Sequence, residues 1–169
     1  MYVKTGFVEL LRDTSLVWDT AVLGGGAAGL VAAISAASEG QKVVLFEKGE
    51  KLGKKILISG NGRCNITNRT ADDVRHYHGA PPPFIQTVLN YLPLSQTLSF
   101  FSDLGIEVHE EKRGRLFPQS NQAQSVVDVL ADRLQQLGVR ICLDTEIKAV
   151  NKASYFKLET KKGQVYQSE

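Results

Sequence analysis

The chain has 169 residues, of which 43% are hydrophobic and 22% are charged, and its formal net charge is +2. This length and composition fit one soluble globular domain with a real hydrophobic core. Because acidic and basic residues are interspersed, the sequence predicts neither a nucleic-acid-binding stripe nor a polybasic membrane patch.

The two cysteines, Cys64 and Cys142, stand far apart and lack C-x-x-C spacing. They indicate neither a disulfide framework nor a zinc site, and they favour a reducing, cytoplasmic environment. The alanine-rich run Leu30–Ala37 is too short to span a bilayer, and no signal peptide is evident at the N-terminus. We therefore expect no membrane partner and no nucleic-acid partner.

The chain is predicted to consist of an N-terminal extension and one domain. Residues 1–15 precede the first apolar strand and are interpreted as the extension, which carries no recognisable chemistry. Residues 16–169 are assigned to the domain, and residues of about 80–105 to a helical insertion within it.

The first predicted elements are an apolar strand ending at Leu23, a glycine turn and a small-residue helix running to Glu39. The turn consists of Gly24, Gly25, Gly26, Ala27, Ala28 and Gly29. In such a turn the first glycine permits the bend, the second lets the backbone approach a pyrophosphate, and the third lets helix and strand pack closely. Free N–H groups and the positive end of the helix dipole favour the anion.

The second predicted strand is Val43–Phe46, an unbroken apolar run typical of a strand buried on both faces of a parallel sheet. Glu47 follows it, where a carboxylate accepts hydrogen bonds from an adenosine ribose and repels a 2′-phosphate. The site is therefore predicted to take FAD or NAD rather than NADP, although neighbouring Lys48 weakens this discrimination. A βαβ unit without a ligand is the alternative.

A loop rich in Gly, Asn and Lys is predicted over Gly49–Asn68. Since Asn and Gly tolerate left-handed backbone conformations, the stretch Ser59–Gly62 is expected to fold tightly around a ligand. The densest basic group of the chain lies here, at Lys51, Lys54, Lys55 and Arg63. It fits a solvated loop and cationic support for a diphosphate equally well.

Two short helices are predicted after an irregular segment, Asp72–Pro83, in which three prolines bar a helix until the last of them. The first helix ends before Pro93, and its apolar residues Phe84, Val88, Leu89 and Leu92 share one face. The second is predicted to begin at a Ser95 cap and to end at Gly105.

The remaining chain alternates strands with one clear amphipathic helix. Strands are predicted at Ile106–His109 and Arg115–Phe117. The helix, capped by Ser120 or Asn121, carries an apolar stripe of Ala123, Val127, Leu130, Leu134 and Leu137. A strand at Val139–Leu143 and a β-meander follow, with meander strands at Glu146–Val150, Ser154–Thr160 and Gln164–Gln167.

No catalytic triad and no metal site are predicted. Zinc requires three or four ligands, and the loop pair His76 and His78 has no evident third. Cys64 beside Arg63 is a candidate redox thiol, although an inert cysteine in a packed loop is favoured.

Several blocks resemble the N-terminal part of the aminoacetone-oxidase and bile-acid-reductase type of NAD(P)/FAD-dependent oxidoreductases. They are Gly24–Leu30, Phe46–Lys48, the long and unusual run Gly53–Asn68, Gly114–Pro118 and Gly138–Ile141. The resemblance covers almost all of the chain from Trp18 onward. It implies an α/β fold: a Rossmann-like FAD-binding domain with a parallel sheet around a βαβ unit, a small helical insertion and a β-meander, incomplete at the C-terminus.

The resemblance also implies FAD as the cofactor, a small organic molecule as the substrate, and NAD or NADP as a candidate second electron carrier. It implies that Glu47 binds the adenosine ribose and that backbone near Ile147 approaches the adenine. Lys54 would serve a phosphate. The loop expected against the pyrophosphate and flavin comprises Ser59, Gly60, Asn61, Gly62, Arg63 and Asn65.

The resemblance further implies that the family's next apolar strand lies beyond Glu169, so that one position of the sheet is unfilled here. We therefore predict the FAD-binding part of a flavin-dependent oxidoreductase, whose missing half is supplied by a longer chain or by another chain. Two alternatives stay open. One is a NAD-binding single-Rossmann dehydrogenase domain, and the other is a non-catalytic, truncated fragment.

Overall fold

The computed structural model describes residues 16–169, so the predicted extension at residues 1–15 lies outside the described residues. The chain divides into two compact units. Among the described residues, the first unit holds residues 16–52 together with Leu134–Glu169, and the second is Gly53–Arg133.

Ten strands and five α-helices are found between residues 16 and 169. The strands are Val17–Trp18 (β1), Thr20–Leu23 (β2), Val43–Phe46 (β3), Thr67–Asn68 (β4), Val108–Glu111 (β5), Arg115–Pro118 (β6), Arg140–Cys142 (β7), Ile147–Lys152 (β8), Phe156–Thr160 (β9) and Val165–Ser168 (β10). The helices are Ala27–Ser38 (α1), Lys54–Ile58 (α2), Pro82–Tyr91 (α3), Leu94–Asp103 (α4) and Ala123–Gln136 (α5). None of these helices is both long enough and apolar enough to cross a membrane.

The first unit is built on the predicted βαβ arrangement. Its parallel sheet has the order β2–β3–β7, with β3 in the centre. All four residues of β3 are buried, and α1 packs against β2 and β3. Burial on both faces explains why the sequence of β3 is unbroken and apolar, because neither face meets water.

A second, four-stranded sheet in the first unit has the order β1–β10–β9–β8. Its β8, β9 and β10 form the predicted antiparallel meander. Val44 and Phe46 of β3 form a buried cluster with Leu158 of β9, and the Tyr166 ring meets Phe46 edge-on at 4.7 Å between centroids. The hydrophobic effect of this shared core therefore ties the meander to the parallel sheet.

The second unit contains a small antiparallel sheet in the order β4–β6–β5. Its centre is β6, where Leu116 and Phe117 are almost completely buried. Four residues of the apolar stripe predicted for α5 are buried (Ala123, Val127, Leu130 and Leu134), whereas the fifth, Leu137, is half-buried and lies just beyond the helix.

Part of the predicted loop Gly49–Asn68 is regular structure instead. It contains α2, a turn of 3-10 type at Ser59–Gly62 and strand β4. Gly53 makes α2 possible, because it adopts a φ of 66° just before the helix, and a Cβ there would lie 2.7 Å from Val127. A five-residue helix is too short to give a periodic sequence signal.

The predicted ends of the two inserted helices also need correction. α3 begins at Pro82 rather than at Pro83, since a proline is tolerated in the first helical turn, where a backbone N–H would have no helical partner anyway. α4 follows Pro93 rather than a Ser95 cap, and the Asp72 carboxylate accepts its first N–H, from Leu94, at 2.8 Å.

The face of α3 that is buried differs from the apolar face read from the sequence. Three of its four predicted residues, Phe84, Val88 and Leu92, are 62%, 51% and 58% exposed. The fourth, Leu89, is half-buried, and the buried residue of α3 is Ile85. Strand β5 is likewise shifted two residues from the predicted Ile106–His109, because its register is set by pairing with β6. Both differences depend on tertiary neighbours that the local pattern does not contain.

Candidate dinucleotide-binding site

The glycine turn joins β2 to α1 as the motif requires. The Gly24 N–H donates to the Phe46 carbonyl at 2.7 Å, and the φ of 105° at Gly24 turns the chain away from β2. α1 then begins after Gly26, and no side-chain cap occupies its first turn. The first amides of the helix are therefore left for another acceptor.

Two glycines of this turn have different surroundings. A Cβ on Gly29 would clash with the Gly24 carbonyl oxygen, so only glycine permits this close approach of helix and turn. A Cβ on Gly26 would meet nothing within 4 Å. The space before the helix is thus open to a group that approaches the backbone directly.

Glu47 faces the glycine turn. Its Oε2 accepts a hydrogen bond from the Gly25 N–H, and its Oε1 accepts one from the Gly49 N–H, both at 2.8 Å. Each carboxylate oxygen still has a lone pair, so the side chain retains capacity to accept from a hydroxyl. The main chain therefore fixes this carboxylate at the tip of β3, beside the turn.

The other predicted residues of the first unit have different surroundings. Lys48 is exposed next to Glu47. Ile147 is half-buried and packs against the cluster of Val44, Phe46 and Leu158. Its side chain is therefore structural, and an approach of its backbone to adenine stays a prediction.

In the second unit, the predicted tight turn is confirmed in its backbone. Gly60 and Asn61 both have a φ of 56°, and Cys64 has a φ of 64°. The Cys64 N–H donates to the Ser59 carbonyl at 3.0 Å, and the Arg63 N–H to the Gly60 carbonyl at 3.3 Å. Asn61, Gly62 and Asn65 are exposed on this turn.

The basic residues of the second unit are not equivalent. Lys54 is exposed at the start of α2. The Arg63 guanidinium instead donates to both carboxylate oxygens of Glu111, at 2.5 and 3.3 Å, and lies 4.2 Å above the centre of the Phe117 ring. Lys54 is thus available to a solvent-side anion, whereas Arg63 already has an acidic partner.

The candidate redox thiol has the properties of an inert one. Cys64 is buried, and burial raises the pKa of its thiol above the ordinary value. Burial likewise raises the pKa of the Cys142 thiol. A raised pKa reduces the reactive thiolate at neutral pH.

The structure brings the predicted site residues together in two groups. In the first unit, Glu47 contacts the turn of residues 24–29; in the second, Ser59–Cys64 form one hydrogen-bonded turn. Sequence reasoning missed Gly49, which binds Glu47, and Glu111 and Phe117, which hold Arg63. No local signal marks Glu111, because it lies 48 positions after Arg63. No cluster of three or more potential metal ligands occurs among residues 16–169.

Relatives of known function match most of this chain. The 3-dehydro-bile acid delta(4,6)-reductase of Clostridium scindens is 43% identical over 131 residues, which are 76% of this chain and 32% of that protein. A ribosomal RNA dihydrouridine synthase of Haemophilus influenzae is 34% identical, over 78% of this chain and 32% of that protein. The chain thus spans about a third of the length of these curated relatives.

Among solved structures, the 3-ketosteroid-delta4-(5alpha)-dehydrogenase of Rhodococcus jostii RHA1 has a similar fold. The TM-score is 0.66 at 13% identity, covering 96% of this chain and 46% of that chain. At this identity the likeness concerns the fold alone.

The HI0933-like protein Rossmann domain family matches residues 18–169. This match confirms the Rossmann-like α/β fold that the sequence motifs predicted. The chain belongs to the HI0933-like Rossmann domain family.

Proposed function

We propose that this chain is the FAD-binding part of a flavin-dependent oxidoreductase that transfers hydride or electrons to or from a small organic molecule. The observation that carries the proposal is the contact between Glu47 and the glycine turn, beside the open space at Gly26. A backbone cradle and a ribose-binding acid at adjoining strand tips are what a dinucleotide requires. The family match supports the proposal.

In this proposal the amides of residues 26–29 and the positive end of α1 bind the diphosphate. Glu47 accepts from the ribose hydroxyls, and backbone near Ile147 approaches the adenine. Lys48 and Lys54 contribute positive charge. The exposed surface of the Ser59–Asn65 turn lies against the cofactor. When bound, the flavin supplies the redox chemistry, while the protein supplies orientation and electrostatics.

The substrate is proposed to be a small organic molecule, with NAD or NADP as a second electron carrier. Relatives are named for a bile-acid derivative and for ribosomal RNA, so their substrates are of two kinds. The interspersed charges and the net charge of +2 favour the small molecule over RNA. Binding of ribosomal RNA at physiological salt would contradict this choice. The unpaired thiols Cys64 and Cys142 support a cytoplasmic location.

We also propose that a further segment, from a longer chain or from a partner chain, completes the first unit. In β2, the N–H groups of Thr20 and Gly24 donate toward the β3 side. Strand alternation therefore directs the backbone groups of Ala21 and Leu23 toward the other edge. Among the described strands, β2 pairs only with β3.

A groove runs along that same edge. It has a volume of about 270 Å³, and Ala21, Leu23, Phe156, Leu158 and Ser168 are among its lining residues. Leu23 is 52% exposed. An open strand edge beside apolar side chains is suited to accept an added strand.

The cofactor assignment is tested by measuring the dissociation constants of FAD and NAD for the full chain by calorimetry. We expect FAD to bind more tightly than NAD. Glu47→Gln is expected to raise the FAD dissociation constant about tenfold, because hydrogen bonds to a charged acceptor are worth roughly 1.5–3 kcal/mol.

Glu50→Gln is the matched control, since Glu50 is exposed and the charge change is the same. It is expected to leave the FAD dissociation constant within about twofold of the original. Equal effects of the two variants, or tighter binding of NAD than of FAD, would contradict the proposal.

A further inference from the structure

A cluster of three side chains links the turn Ser59–Asn65 to β5 and β6 of the same unit. The cluster consists of Arg63 in the turn, Glu111 at the end of β5 and Phe117 in β6. Arg63 is the link, because it is the one of the three that belongs to the turn. Contacts that hold the Arg63 side chain in place therefore also hold the backbone of the turn in place.

Three contacts fix the Arg63 guanidinium. Glu111 accepts two hydrogen bonds from it, at 2.5 and 3.3 Å. The Phe117 ring lies below it, 4.2 Å from its central carbon. Its Nε also donates to the Gly60 carbonyl at 3.4 Å. A planar, forked cation uses its edge for the carboxylate and its face for the ring, which a lysine cannot do.

The backbone of the turn rests on the same ring. A Cβ placed on Gly60 would come within 2.7 Å of the Phe117 ring and 3.0 Å of the Asn65 nitrogen. Gly60 and Asn61 are both left-handed at this point. The ring thus supports the turn directly through Gly60 and indirectly through Arg63.

A second arginine near Glu111 does not have the same geometry. Arg115 lies 3.6 Å from Glu111 Oε2, and its central carbon is 5.7 Å from the Phe117 ring centre. Arg115 therefore adds positive charge to the cluster but does not hold the turn in place.

We infer that Glu111 is a positioning residue: its carboxylate holds the Arg63 guanidinium over the Phe117 ring and so fixes the backbone shape of the Ser59–Asn65 turn. The consequence for cofactor binding rests on the proposed function, in which this turn contacts FAD. Arg63 then acts through the shape of the turn, because its charge is already paired with Glu111.

The inference is tested first without any cofactor, by amide hydrogen exchange of the full chain. Glu111→Gln is expected to speed exchange of the Arg63 and Cys64 amides about tenfold, since these amides close the turn. Amides of the buried strand β3 should exchange unchanged. This confinement separates positioning from a general loss of stability.

Glu110→Gln is the matched control. Glu110 is the neighbouring residue on β5, and it pairs with Arg69 at 2.8 Å, so that charge and strand are the same but the turn is not involved. We expect less than a twofold change in exchange of the Arg63 and Cys64 amides. Equal exchange in the two variants would overturn the inference.

Arg63→Lys supplies a second, independent variant, and it serves if Glu111→Gln does not fold. Lysine keeps the charge but loses the fork and the planar face. It is expected to reproduce the faster exchange. Exchange at the original rate would overturn the inference, because a simple attraction between charges would then suffice.

The FAD dissociation constant separates this inference from the proposed function. Glu111→Gln should raise it at least fivefold, and Glu110→Gln by less than twofold. If FAD does not bind the unsubstituted chain, the proposed function fails while the exchange result stands. If FAD binds and Glu111→Gln leaves its affinity unchanged, the role in cofactor positioning is wrong.

Discussion

The two units of this chain shape their predicted cofactor-binding segments by different means. In the first unit the main chain shapes the segment, because Gly29 leaves no room for a side chain and backbone N–H groups hold Glu47. In the second unit, side chains distant in sequence do it, through Glu111, Arg63 and Phe117. The shape of the segment at residues 24–29 therefore depends on residue types within the motif. The shape of the segment Ser59–Asn65 depends on how the small sheet of β4, β5 and β6 packs.

The greatest loss of stability is expected when Phe117 is removed from the cluster that it forms with Arg63 and Glu111 in the second unit. Phe117 is 1% exposed, and Phe117→Ala is expected to lower the free energy of unfolding by about 3–5 kcal/mol, because it leaves a cavity in the core. Chemical denaturation followed by circular dichroism measures the change.

Phe84→Ala is its control, since Phe84 lies in the same unit but is mostly exposed. We expect it to change the free energy of unfolding by less than about 0.5 kcal/mol. A similar loss in both variants would show that Phe117 does not have the core position assigned to it.

An intermediate effect tests the backbone packing of the first unit. Gly29→Ala is expected to cost about 1–3 kcal/mol of unfolding free energy, because its methyl group overlaps the Gly24 carbonyl oxygen. Gly26→Ala places the same methyl group in open space, so the fold should be nearly unaffected.

FAD binding distinguishes these two variants in a second way. Gly26→Ala should weaken FAD binding although the fold is intact, because its methyl group fills the space that the diphosphate would need. If a folded Gly26→Ala chain binds FAD as tightly as the unsubstituted chain does, the diphosphate does not lie beside residue 26.

The smallest expected effect concerns pH and the second unit alone. Hydrogen bonding from Arg63 lowers the pKa of Glu111 below its ordinary value, and the charges of Arg63, Arg115 and His109 act in the same direction. A carboxyl group with a lowered pKa in the folded state stabilises that state above its ordinary pKa. This contribution is lost as pH falls through the lowered value.

The stability difference between the unsubstituted chain and Glu111→Gln should therefore shrink as pH is lowered below about 4.5. Unfolding free energies measured across this range give the difference. Any pH dependence of stability that Glu111→Gln retains belongs to other groups. A difference independent of pH would exclude the Glu111 carboxylate as its source.

Local sequence signals predicted those parts that neighbouring residues define. The glycine turn, the buried strand β3 and the amphipathic stripe of α5 were all recognisable, since period and residue type reflect burial directly. The position of Glu47 beside the turn also followed from the order of the elements. The bounds of β5 did not follow, because strand register is decided by the partner strand.

Sequence patterns alone predicted a βαβ unit with a phosphate-type turn, an acid at the tip of the next strand, and the family to which the chain belongs. The burial of Ile85 rather than Phe84 in α3 is evident from the three-dimensional fold and not from the local pattern. The pairing of Arg63 with Glu111, 48 positions away in the chain, is likewise evident from the fold and not from the local sequence. This difference arises because helix and turn propensities act between residues that are close in sequence. Burial and ion pairing depend instead on which distant segments of the chain meet.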